Sequence, residues 1–172
     1  MNAHHLLAAV AMTAAALAPA AAQEPGSRAT REFVEASAQS DQFEILEAQT
    51  VLGQSTSGQV RAFALQMIRD HERLSATLRE AAAHAGLKPP PMGISSDQAL
   101  LLGALQSQQS PDLDKTYLRH QLLAHRSALT VQQAYAATGD NADVRQTAAE
   151  ATTIIASHLE MAERRQKEST IP

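Results

Sequence analysis

Apolar residues recur along this chain in alternating steps of three and four, the spacing of helices that each bury one face. The clearest stripe is Val60, Ala64, Met67, His71, Leu74, Leu78 and Ala81, a heptad seam that predicts a helix from an N-cap at Ser57 to about residue 85. Upstream, Phe33, Phe43, Leu46 and Val51 mark the inner face of a first helix over about residues 30–52, and the segment 53–58, with a glycine at either end, reads as the turn. The second helix stops hard. Gly86 suits the left-handed position after a helix C-terminus, Leu87 the accompanying apolar contact, and Pro89, Pro90 and Pro91 forbid continuation. His84 falls in the last turn, where the helix dipole favours a cation.

A long connection follows, over residues 88–109. Ser95 and Gln98 have capping-box spacing, so a short helix is predicted, with an apolar patch from Ala99 to Leu105 to lay on the bundle. Ser110, Pro111 and Asp112 then read as N-cap, first-turn proline and first-turn carboxylate of a third long helix, whose seam is Leu118, Leu122, His125, Leu129 and Ala136, closing at Gly139. Asn141 caps a fourth, which buries Val144, Ala148, Ala151, Ile155, His158 and Ala162. Short turns force antiparallel neighbours, whereas the long connection can cross the bundle and leave helices two and three parallel. The expectation is an all-α, ferritin-like four-helix bundle: two antiparallel hairpins joined by a crossover that carries a short helix. The bundle domain spans residues 30–166, after a polar lead-in at 23–29 and before a frayed tail at 167–172.

Composition supports helices over sheets, because alanine is abundant, aromatics are only 3% and tryptophan is absent. The uncharged, Ala-rich run over residues 1–22 reads as a secretory signal peptide with Ala20, Ala21 and Ala22 at the cleavage site. An uncleaved anchor is the rival reading, against which stand the shortness of the run and its interruption by Pro19. Exported, the mature chain is periplasmic with no transmembrane domain. The chain has no cysteine, so neither lipidation nor a disulfide is available. A net charge of −4 with scattered Lys and Arg excludes a nucleic-acid surface.

One polar residue per long helix falls near mid-height: Glu44, His71, His125 and His158. The three histidines lie on their seams, seven residues after Ala64, Leu118 and Ala151. Glu44 flanks its stripe, and Glu47, one turn on, can substitute for it or join it. A buried imidazole needs a hydrogen-bond partner or a metal, and a buried carboxylate needs a cation or donors. Three imidazoles and a carboxylate suit one transition-metal ion, with zinc, iron, copper or nickel compatible and calcium or magnesium disfavoured by the shortage of oxygens. The alternative is a metal-free polar layer in which Glu44 accepts from the histidines and Tyr117 or Tyr135 closes the network, fixing helix register.

A ferritin-type di-iron centre is disfavoured. It takes Glu-x-x-His from two helices, and here Ile68, Leu122 and Ile155 stand three residues before the histidines. Asp70 and Glu72 flank His71 at about 100° and read as solvated or paired with arginines. His120 reads as a surface residue, and Met67 and Met161 as core filling. No strand-turn-helix elbow supports a hydrolase triad, and no catalytic residue is assigned.

The segments Gln42-Phe-Glu-Ile-Leu-Glu-Ala, Val60-Arg-Ala-Phe-Ala-Leu-Gln-Met-Ile-Arg-Asp-His, Leu113-Asp-Lys-Thr-Tyr with the later Ala124-His125, and Ser157-His-Leu-Glu-Met-Ala resemble the bacterial exported family called domain of unknown function 4142. The resemblance implies a ferritin-like bundle in the bacterial envelope, with Glu44, His71, His125 and His158 at the family's polar positions, and it implies no reaction. Members commonly carry a Leu-Pro pair shortly before the last histidine. This chain has Thr152-Thr-Ile-Ile there, which implies a straighter fourth helix. The expected function is metal handling or envelope stress in the periplasm, and the competing one is a metal-free structural or interaction module that docks an envelope protein through the helix from Leu100 to Leu105.

Overall fold

A computed structural model describes residues 26–169 of the chain. The leader predicted over residues 1–22 and the last three residues lie outside the described part. Five helices follow in order: α1 (Arg28–Gln54), α2 (Gly58–His84), α3 (Ser96–Gln106), α4 (Asp112–Thr138) and α5 (Ala142–Ser169). The hairpins α1–α2 and α4–α5 pack against each other through α1 with α4 and α2 with α5. Chain direction then makes every neighbouring pair antiparallel and each diagonal pair parallel, the arrangement a single long crossover produces.

The predicted boundaries hold at most ends. Ser57 accepts from the Val60 amide at 3.3 Å, Asn141 Oδ1 accepts from the Val144 amide at 3.0 Å, and Ser95 with Gln98 closes a reciprocal capping box. Gly86 has φ +72°, with the Leu87 amide donating to the Ala82 carbonyl and the Gly86 amide to the Ala83 carbonyl. That pair of bonds satisfies carbonyls the ended helix would otherwise orphan.

Four boundaries differ from the sequence reading. Helix α1 begins at Arg28, two residues before the expected start, because Ser27 supplies the cap, accepting from the Thr30 amide at 3.0 Å. It also continues through Gly53 to Gln54, which leaves only residues 55–57 as the turn. At α4 the Ser110 hydroxyl does not cap; it donates to the Asp114 carboxylate at 3.2 Å and accepts from the Thr56 amide at 3.3 Å, tying the α1–α2 turn to the start of α4. Finally, α5 runs unbroken through Ser169, past the point where fraying was expected.

The core divides by height. Above lies a cluster containing Val51, Phe63, Met67, Leu113, Tyr117 and Leu122, and below lie Phe33, Val34, Leu78, Tyr135 and Val144, with Leu74, Ala151 and Ile155 as a further group. Leu105 alone of α3 inserts into the upper cluster; Leu100 and Leu101 remain 75% and 41% exposed, so the apolar patch lies only partly on the bundle. Between the apolar clusters sits a level of buried polar groups. Among the described residues no helix is long and apolar enough to cross a membrane.

Candidate metal centre

Three of the four residues singled out from the sequence meet at this level. His71, on α2, His125, on α4, and His158, on α5, are buried, and their ring centroids form a nearly equilateral triangle with sides of 5.6, 5.4 and 5.3 Å. One nitrogen from each lies within 4.8 Å of the others. Each histidine takes the seam position its heptad predicts.

The outward nitrogen of every ring is held. His71 Nδ1 pairs with Asp41 Oδ1 at 2.9 Å, His125 Nδ1 donates to the Gln121 carbonyl at 2.8 Å, and His158 Nε2 pairs with Asp70 Oδ2 at 2.9 Å. Asp41 is itself oriented by the Ser75 hydroxyl, which donates to its other oxygen at 3.0 Å. Protons on the outward nitrogens leave lone pairs on the inward ones. His71 Nε2 has no hydrogen-bond partner, and His125 Nε2 stands 3.3 Å from His158 Nδ1.

This last contact has no comfortable neutral form. With both outward protons in place, two lone pairs face each other. Moving a proton inward gives that pair a hydrogen bond but turns a lone pair toward the Gln121 carbonyl or the Asp70 carboxylate. A cation between the rings, proton or metal, resolves the conflict. Burial pushes the His125 imidazole below its ordinary value, opposed by Glu44 and assisted by the cationic form of His71. Burial likewise lowers His158, to about 4, against the pull of Asp70. Both rings therefore disfavour the proton. His71 differs: burial pushes it down, but its bond to Asp41 and the nearby Glu44, Asp41 and Asp70 carboxylates outweigh burial and raise it.

These shifts predict an acid-labile fold. In the folded chain His158 stays neutral down to about pH 4, whereas unfolded imidazole protonates near 6.5. Its contribution is intact above pH 6.5, falls as pH drops toward 4, and is on the order of 3 kcal/mol in full. His125 acts in the same sense, while raised His71 opposes them, stabilising at low pH and losing that as pH rises through its folded value. Urea unfolding of metal-free protein across this window is expected to show a falling midpoint. His158→Gln should flatten that slope.

Glu44 stands apart from the triad. Its carboxylate is fully buried, both oxygens lack a hydrogen-bond partner, and Oε1 lies 3.7 Å from His125 Nδ1, behind that ring and not among the inward nitrogens. Glu47 neither replaces nor joins Glu44 at the triad. It pairs with His120 Nδ1 at 2.5 Å and accepts from Gln121 Nε2 at 3.4 Å. Burial, partly offset by the bond to His120, holds Glu47 above the usual carboxylate range.

Two sequence readings are corrected here and one is extended. His120 is buried, because α4 contacts α1, α3 and α5 and its covered arc is wide enough to include a position 140° from His125. Asp70 pairs with Arg73 at 3.4 Å, as expected, and its other oxygen also faces α5 and holds His158. Neither tyrosine closes the layer. Tyr135 bonds Thr30 at 2.7 Å at the lower end, and the Tyr117 hydroxyl is buried without a partner. Asp41 was missed, yet Asp41, Glu44 and Glu47 recur every three residues on α1, a stripe of acids beside Phe43 that marks them as inward.

No curated protein matches the chain. A solved structure described as a DUF305 fragment from Deinococcus radiodurans matches in fold, with a TM-score of 0.74 over 84% of this chain and 99% of that one, at 16% identity. The family model for the domain of unknown function DUF4142 matches residues 15–164, all five helices but for the last residues of α5. The chain belongs to the DUF4142 family.

Proposed function

We propose that the protein binds one transition-metal ion through His71, His125 and His158 and works in metal handling in the periplasm. The observation that carries this reading is the convergence of three inward nitrogens whose outward counterparts are all anchored. Metal-binding histidines are held in this way, the outer N–H fixing tautomer and ring angle. Three ligands at about 2.0–2.1 Å from a tetrahedral ion stand about 3.3 Å apart. His125 and His158 meet that spacing at 3.3 Å, and one nitrogen of His71 lies within 4.8 Å of both.

Charge supports the same reading. Asp41, Glu44, Glu47 and Asp70 share the level with His71, His120, His125 and His158, and neutral His125 and His158 leave the layer short of positive charge. A divalent ion supplies it, with Glu44 compensating from behind His125. Nitrogen ligation fits zinc, iron, copper or nickel, and three protein ligands leave a position open for a fourth donor or an incoming acceptor of the metal. The periplasmic setting rests on the leader over residues 1–22; a role in envelope stress is the physiological form in which metal handling would be felt.

Untagged mature protein dialysed against zinc and then against buffer is expected to retain one equivalent by elemental analysis. Asp41→Asn, which keeps size but weakens the hold on His71, should reduce affinity by about 10–100-fold. Retention no greater than that of a triple His71→Ala, His125→Ala, His158→Ala control would refute the proposal.

A further inference from the structure

The three rings of the triad are not equally locked. His125 is fully buried, and so is Gln121, whose carbonyl holds its Nδ1, so that ring has no water-facing partner to turn toward. His71 is held by Asp41, whose side chain is 10% accessible and whose second oxygen is occupied by the Ser75 hydroxyl. His158 is held by Asp70, whose side chain is 21% accessible and whose other oxygen reaches the exposed Arg73 on the outer surface of α2. Asp70 is thus the anchor that joins the buried layer to solvent, and it does so at the seam between α2 and α5.

The cost of releasing each ring follows from those surroundings. Turning His71 away leaves an Asp41 oxygen unpaired where little water reaches it, and a buried carboxylate without a donor is costly. Turning His125 away strands an N–H inside the core. Turning His158 away leaves Asp70 with Arg73 and with water in place of the imidazole, so the lost bond is replaced at once. The same movement ends the 3.3 Å contact between His158 and His125, which no neutral form of the two rings satisfies. The other side of α5 is closed differently: Arg126 and Glu163 bridge the outside of the α4–α5 seam at 3.0 Å, with neither bonded to a triad ring.

We propose that metal reaches the triad through the α2–α5 seam: Asp70 captures the incoming cation at the surface, and His158 turns out of its bond to Asp70 to open the way to the inward nitrogens. This rests on the metal reading above and adds to it the route and the residue that first meets the ion. Arg73 opposes capture, because its guanidinium occupies Asp70 and places a positive charge at the mouth.

Stopped-flow mixing of untagged protein with zinc, with a fluorescent indicator reading the zinc left free, gives the association rate, and a chelator chase gives the release rate. At low ionic strength Asp70→Asn, which keeps an acceptor for His158 but removes the charge, should slow association by about tenfold, and Arg73→Gln should speed it by about threefold, both differences shrinking in high salt. Two matched changes separate a route from a general effect. Asp41→Asn should leave association within about twofold of wild type and lose affinity through faster release, as an anchor that only orients its ring would. Arg126→Gln removes the same charge beside the α4–α5 seam and should likewise leave association within about twofold. The route is overturned if zinc is retained at one equivalent while Asp70→Asn associates within about twofold of wild type, while Asp41→Asn slows association as much as Asp70→Asn, or while Arg126→Gln speeds it as much as Arg73→Gln. Failure of the wild-type protein to retain zinc at all overturns the metal reading and the route with it.

Discussion

Zinc at a hundred times its dissociation constant is expected to raise the unfolding free energy of the protein by about 2.7 kcal/mol, and the melting temperature by roughly 5–10 °C. The gain follows from the folded state alone holding His71, His125 and His158 together; the unfolded chain has no comparable site. Replacing His125 with leucine removes a central ligand and also the 3.3 Å contact with His158, so the metal-free variant should keep or improve its stability while losing the zinc-dependent shift. Differential scanning calorimetry with and without zinc reads both effects. An equal shift in wild type and variant would mean that zinc binds elsewhere.

Glu44 is expected to behave unusually for a fully buried residue. Both of its oxygens lack donors, and the 3.7 Å approach to His125 Nδ1 is already pre-empted by the shorter bond of that nitrogen to the Gln121 carbonyl. A carboxylate so placed weakens the metal-free fold. Glu44→Met, unbranched and of similar length, should therefore stabilise metal-free protein by on the order of 1–3 kcal/mol in urea unfolding. The same change should weaken zinc by about tenfold, because the ion loses a nearby negative charge. Destabilisation of roughly 3–5 kcal/mol would instead identify Glu44 and His125 as a true buried ion pair broken by the substitution. The opposite signs expected for stability and affinity distinguish a group kept for the ion from one kept for the fold.

The seams made most of the architecture legible. Val60 to Ala81 on α2 and Val144 to Ala162 on α5 step by three and four without interruption, and the breaks at Gly86 and Gly139 are chemically explicit. The three histidines were readable for the same reason: each occupies a position that periodicity would give to a leucine. Their partners were harder to read, because partnership depends on which helices touch. Asp70 is 100° from the buried line of α2 and matters only because α5 lies on that side. His120 is buried only because α1 and α3 cover a second face of α4. Glu44 flanks its stripe, so periodicity did not fix which way it points. It reaches the correct level, but from α1 the nearest ring it meets is the back of His125. Helix starts were least legible where side-chain hydroxyls decide them, as when Ser27 capped α1 two residues before the expected start and Ser110 was drawn to Asp114 and Thr56.

X-ray absorption at the zinc edge of the loaded, untagged protein addresses the three-histidine centre most directly. The account predicts an inner shell of nitrogen and oxygen at about 2.0–2.1 Å with the outer-shell scattering of three imidazoles, falling to two in His158→Ala. A shell dominated by carboxylate oxygens, or imidazole scattering unchanged by removing His158, would contradict it.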